Sequence, residues 1–197
     1  MITDEHLLPV CSGTDTITSM RIPYLSRWQI CLSLLFICTC LACSPSWNWR
    51  EVKSNDAPFS VLLPAKAISH SRKIDLNGME VTMHMTAAEV DGVSFAVGSV
   101  QLPDATQTAA ALNAMQLAMI NNIHGEVREK KIIQLEDHVN ATQIIAVGHA
   151  GKSTQHLLLA ARFVSKGLWV HQVIALGPEK NYPPDTIDTF LTSFKLN

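Results

Sequence analysis

From residue 59 onward, apolar residues recur at two spacings that divide this part of the chain into strands and helices. Phe59–Leu63 is apolar and stops at Pro64, which predicts a short strand. Ile68–Leu76 predicts a second. Asn77-Gly78 then supplies the two-residue turn best suited to a hairpin, and 79–87 returns as a third strand. Asp91-Gly92 is a second such turn and leads into a fourth strand over 93–102. Together these predict an antiparallel meander that begins at Phe59.

The period changes after Pro103. Asp104 predicts a helix N-cap, with Gln107 at the reciprocal capping-box position. Leu112, Met115, Met119 and Ile123 then fall on one helical stripe, so a single long helix is expected over 105–124, stopped by Gly125. Strands follow at 127–135, 142–148, 155–164 and 168–176, with tight turns at 149–151 and 165–167. The last two strands are apolar on both sides: Leu157, Leu159 and Phe163 on one, Leu158 and Ala160 on the other. A sheet open to water on one face would alternate more cleanly, so both faces are expected to be covered. Asp185 is expected to cap a short C-terminal helix with Ile187, Phe190, Leu191 and Phe194 on one side. The predicted fold class is α+β: an antiparallel sheet of about six to seven strands, a long central helix and a short C-terminal helix, in one domain over 59–197.

The N-terminal part has a different pattern. Ile30 to Ala42 is a mostly apolar run without charge, preceded by Arg21 and Arg27. It is shorter than the roughly 20 residues needed to span a bilayer, which suits the apolar region of a cleaved export signal. Leu41 and Ala42 directly precede Cys43, and this box resembles the cleavage site of bacterial lipoproteins. The resemblance implies that residues 1–42 are removed and that Cys43 is lipidated. It also implies that Ser44 favours sorting to the outer membrane, facing the periplasm. Asp4, Glu5 and Asp15 precede the basic leader, and Met20-Arg21 makes a better start than Met1. Residues 43–58 then read as a tether, in which Trp47 and Trp49 either pack at the sheet edge or touch the membrane interface.

Composition narrows the function. From Cys43 onward 13 basic residues stand against 14 acidic ones, which gives no electrostatic case for nucleic acid. All five cysteines lie at or before Cys43, so the domain is expected to hold no disulfide, thiol nucleophile or cysteine-ligated zinc.

The order of Trp49, Phe59-Ser60-Val61-Leu62-Leu63-Pro64, the meander, one central helix, a three-strand return and the closing Phe190-Leu191-Thr192-Ser193-Phe194 resembles small bacterial proteins of the PsbP-like fold, over roughly 49–197. The resemblance implies an α/β/α sandwich used mainly for binding and assembly. No functional residue carries over from it.

Little in the domain suggests chemistry. Gly148-His149-Ala150-Gly151-Lys152-Ser153-Thr154 looks like a phosphate-binding loop, but Ala146 holds the position of its first glycine and a strand, not a helix, is expected after it. No nucleotide site is expected. Met79, Met83, His84 and Met85 make a Met/His-rich strand, and closing the hairpin at Asn77-Gly78 puts His70 opposite Met85 and Arg72 opposite Met83. Thioether and imidazole together suit Cu(I), so His70, Met83 and Met85 form a candidate metal site; core packing is the competing reading. His149 and His156 flank a turn, and His171 sits near Trp169 and Val173. No catalytic constellation and no cofactor are expected. The expected function is that of a non-enzymatic, membrane-tethered envelope lipoprotein that binds another envelope protein or supports an assembly. A small-ligand or copper-binding lipoprotein is the alternative.

Overall fold

The computed structural model describes residues 47–151 and 154–197. Its strands are β1 (Arg50–Lys53), β2 (Phe59–Leu63), β3 (Ile68–Leu76), β4 (Met79–Val90), β5 (Val93–Gln101), β6 (Glu126–Gln134), β7 (Asn140–His149), β8 (His156–Lys166), β9 (Trp169–Pro178) and β10 (Lys195–Leu196). Helix α1 is Thr108–Asn122 and α2 is Pro184–Ser193. Among the described residues no helix is long and apolar enough to cross a membrane.

Two short turns set the register of the main sheet. Asn77 and Gly78 have φ of 57° and 84°, and Asp91 and Gly92 have 52° and 76°. Positive φ at both central residues matches the twist of the flanking strands, so β3, β4 and β5 pair without slippage. Asp75 holds the first turn by accepting from the Gly78 amide at 2.7 Å. The full sheet has seven antiparallel strands in the order β3-β4-β5-β9-β8-β7-β6. The long α1 excursion lets β9 return beside β5, which leaves β3 and β6 at the edges.

Strand β2 departs from expectation. It does not open the meander. It is the middle strand of a separate three-stranded sheet, β1-β2-β10. Phe59, Val61 and Leu63 are almost fully buried, and Pro64 ends the strand, so the chain crosses to the main sheet through 64–67. Strand β1 lies inside the stretch expected to be a tether. Its Arg-Glu-Val-Lys sequence is mostly exposed and gave no apolar run to read.

The central strands of the main sheet are buried on both faces, while the edge strands β3 and β6 are largely exposed. On one side Phe59, Val61 and Leu63 of β2 and Ile187, Phe190 and Leu191 of α2 pack on Phe95, Val97, Val173 and Ala175. Phe95 and Phe190 meet edge to face at 5.3 Å, a geometry worth roughly 0.5–1.5 kcal/mol beyond area burial. On the other side Ala111, Met115 and Ile123 of α1 pack on Val81, Met83, Val100, Leu159, Phe163 and Ile174. Because a small sheet covers much of the first face, the fold is an antiparallel, sheet-dominated α+β arrangement with two helices.

The helix ends also differ in detail. Asp104 does cap, accepting from the Thr106 amide at 2.8 Å, but a 3₁₀ turn over Ala105–Gln107 precedes α1. Gln107 does not complete a capping box; its Oε1 is buried without a partner. Helix α1 ends in a Schellman motif: the His124 amide donates to Asn121 at 3.0 Å and the Gly125 amide to Ile120 at 2.9 Å. The left-handed residue is His124, at φ 45°, not Gly125. At α2 the capping position is Pro183, without a side-chain bond, and Asp185 lies in the first turn. There its charge still favours the helix N-terminus.

Candidate functional site

Cys43 and the stretch before it that is expected to be an export signal lie outside the described residues, as do Lys152 and Ser153 of the glycine-rich loop. The strands on either side of that loop, β7 and β8, pair antiparallel, and the next described element after it is a strand, not a helix.

The β3–β4 hairpin brings the candidate metal residues to one sheet face. His70 is directly opposite Met85, and Arg72 opposite Met83. Their environments differ. His70 is exposed, Met85 is half-buried, and Met83 is a core residue beneath α1. The Met85 sulfur and the Gln172 side chain lie over Gly98, so close that a Cβ there would meet both at under 3 Å. Met83 and Met85 are therefore already used in packing the α1 side of the sheet.

The structure gathers histidines at two places, of which the sequence marked only the turn-flanking pair His149 and His156. The first is buried where the small sheet and the end of α2 meet the main sheet. His171 of β9 is directly opposite Ser99 of β5, and Ser99 Oγ and His171 Nδ1 are hydrogen-bonded at 2.8 Å. The His171 ring has no exposure, stacks on Trp169 at 6.1 Å and meets Phe59 and Phe194 at 6.0 and 5.6 Å. Its Nε2 has no partner. Burial pushes the imidazole pKa down to about 4, so the ring is neutral near pH 7. A parallel pair lies further out: Ser71 Oγ and His84 Nδ1 at 2.8 Å, with the His84 ring 6.2 Å from Trp169. The available signal was a polar residue at an inward strand position, Ser99 after Val97 and His171 before Val173. The pairing of β5 with β9 is non-local, and so it was not readable.

The second place is an open cleft of about 340 Å³ at the end of β6, β7 and β8, lined by His124, Glu126, Arg128, His149 and His156 among others. His149 and His156 are the last cross-strand pair of β7 and β8. His124 reaches them from the end of α1, its ring 5.4 Å from that of His149. His149 Nδ1 donates to the Gly151 carbonyl at 3.1 Å, and Arg128 donates to Glu179 at 2.8 Å. Among the described residues no three His, Cys, Asp or Glu side chains converge so as to hold a metal ion. A second open cleft, of about 620 Å³, includes His156, Glu179 and Lys180.

These geometries sit on a recognisable scaffold. The chain superimposes on cyanobacterial PsbP (CyanoP) from Synechocystis sp. with a TM-score of 0.52, covering 80% of this chain and 97% of that one at 12% identity. The fold is PsbP-like. A protein of unknown function, PA94 from Pseudomonas aeruginosa, aligns with a TM-score of 0.37 over 72% of this chain and 90% of its own, at 11% identity. No family model matches the chain, and no curated protein matches it. At such identities the PsbP-like likeness speaks of fold alone, and function has to come from the residues.

Proposed function

We propose that this chain is a non-enzymatic binding or assembly module of a bacterial cell envelope, built as a PsbP-like α/β/α sandwich. In this reading residues 1–42 are an export signal, Cys43 carries the lipid that tethers the domain at the outer membrane, and the domain binds another envelope protein. The observation that supports it most is the filled interior. Among the described residues both faces of the sheet's central strands are packed by the chain's own elements, and the two clefts beside His156 are open to the surface. Small-molecule sites are usually enclosed and largely apolar, whereas protein partners are met on open surfaces of this kind.

Two measurements test the reading. The intact mass of the protein from its native membrane should equal Cys43 to Asn197 plus acyl chains; retention of earlier residues, or lack of acyl chains, overturns the tether. Mild-detergent purification should bring down one stoichiometric partner, and repeated isolation of the chain alone overturns the binding role.

A copper-binding role is the second reading, favoured by the direct register of His70 with Met85. It requires Cu(I) to be held at the exposed side of a hairpin whose Met83 is committed to the core.

A further inference from the structure

We infer that β3 is a docking edge for an extended, acidic segment of a partner protein, which adds to the main sheet as an eighth strand. The inference rests on the protein-binding reading above and names the surface involved.

The sheet has two edges, and they are finished differently. At β6 the ladder is broken by a bulge between Val127 and Glu129, and three of its charges are paired within the chain: Arg128 pairs with Glu179 at 2.8 Å and Lys131 with Glu129 at 2.9 Å. Bulges and mixed charges are standard means of blunting an edge. β3 also carries mixed charges, in Arg72, Lys73 and Asp75, but it has no bulge. All nine residues pair with β4 in unbroken register, and among the described residues no strand lies on the other side. Nine residues in unbroken register is long for an edge strand, and its outward row of backbone N–H and C=O groups is a template for another strand.

The side chains say which strand would fit. His70 and Arg72 share one face with Ile68, an isoleucine 74% exposed. Among the described residues His70 and Arg72 make no side-chain hydrogen bond or ion pair, while Lys73 on the opposite face is answered by Glu80 at 2.7 Å. A second copy of this chain is a poor occupant. Two β3 strands paired about their midpoint would set Arg72 against Arg72, and like charges directly opposite are destabilising. A carboxylate there is favoured instead. In an antiparallel partner the residue facing Arg72 precedes the residue facing Ile68 by four, so the fitting segment carries an acid and, four positions later, an aliphatic side chain.

The test uses two nine-residue peptides of valine and threonine, with Glu or Lys at the position facing Arg72 and Val facing Ile68. Backbone amide shifts and hydrogen exchange of the full domain are followed by NMR. The Glu peptide should perturb and protect β3, with the Lys peptide binding roughly threefold to fivefold more weakly, the range one cross-strand charge pair supports. Arg72→Glu should invert that preference; the site is exposed, so the fold is retained. No change at β3 up to millimolar peptide, perturbation centred on β6, or a preference that Arg72→Glu leaves unchanged overturns the inference. If the Arg72→Glu protein still purifies with its stoichiometric partner, the docking edge is refuted while the binding role stands. If neither protein has a partner, the binding role fails, and the peptide result alone decides the edge.

Discussion

The guanidinium of Arg162, in the middle of β8, donates to the backbone carbonyl of Leu191 in the last turn of α2 at 2.6 Å. Its Nε donates to Gln143 Oε1 at 2.8 Å, and the side chain is almost fully buried. Burial pushes the guanidinium pKa down, and the Asp188 carboxylate partly offsets this. Besides that carboxylate, the negative end of a helix serves the buried cation, because the last carbonyls have no helical partners. The bond also ties the C-terminal helix to the sheet. Arg162→Ala should cost about 2–3 kcal/mol, from the lost charged hydrogen bond and the stranded carbonyl. Urea unfolding measures the loss, and hydrogen exchange should quicken first in α2. A loss within 0.5 kcal/mol would mean that the helix is held by its apolar side alone.

His171 gives the fold a pH dependence with a definite sign. Its pKa falls from an ordinary 6.5 to about 4 in the folded state because the ring is buried. Between these values the unfolded chain binds the extra proton, so stability rises with pH through the window. The contribution is complete above about pH 6.5 and is lost as pH falls toward 4, an effect of about 3 kcal/mol at most. Unfolding midpoints measured from pH 7 to pH 4 should slope downward in the wild type. His171→Phe keeps a ring among Phe59, Trp169 and Phe194 and should flatten that part of the slope. An identical slope in the variant would place the titration elsewhere.

The limits of sequence reading follow from range. Asn77-Gly78 and Asp91-Gly92 are local, and they were enough to place His70 opposite Met85 in the register that the structure has. The stripe of Leu112, Met115, Met119 and Ile123 likewise gave α1 and its buried side. The separate small sheet was not legible, because β2 pairs with Lys195 and Leu196 at the far end of the chain. The Ser99–His171 pair was hidden for the same reason: 72 residues separate them, and nothing in either strand alone names the other. Cap positions shifted because Asp185 and Gly125 have the right chemistry but lie two residues and one residue, respectively, past where the backbone turns.

Where α1 ends, two substitutions should act in opposite directions. The His149 amide donates to the Ile123 carbonyl at 2.6 Å, and this close approach is possible because residue 148 is glycine. A Cβ on Gly148 would lie 2.1 Å from that same oxygen and 2.8 Å from the Gly125 Cα, both backbone atoms that cannot step aside. Gly148→Ala should therefore cost about 3 kcal/mol or more. His124 holds a left-handed conformation that L residues adopt at a cost. His124→Gly should stabilise by about 0.5–1 kcal/mol, after allowing for the greater freedom of glycine in the unfolded chain. Thermal melts of both variants check the pair; a neutral Gly148→Ala would show that α1 is not docked against β7 in this way.

Core and surface roles on the β3–β4 hairpin separate on stability and on metal. Met83 is 6% exposed among Leu76, Val81 and Val100, so Met83→Ala should destabilise by about 2–4 kcal/mol through lost burial and an unfilled cavity. His70 is exposed and makes no such contacts, so His70→Ala should stay within about 0.5 kcal/mol of wild type. Cu(I) titration against a competing chelator then decides the second functional reading, with His70→Ala and Met85→Ala as the informative variants. The copper reading requires tight binding by the wild type that both variants abolish. Equal titration of all three proteins removes that reading and leaves Met83 and Met85 as packing for α1, with His70 available to face a partner strand.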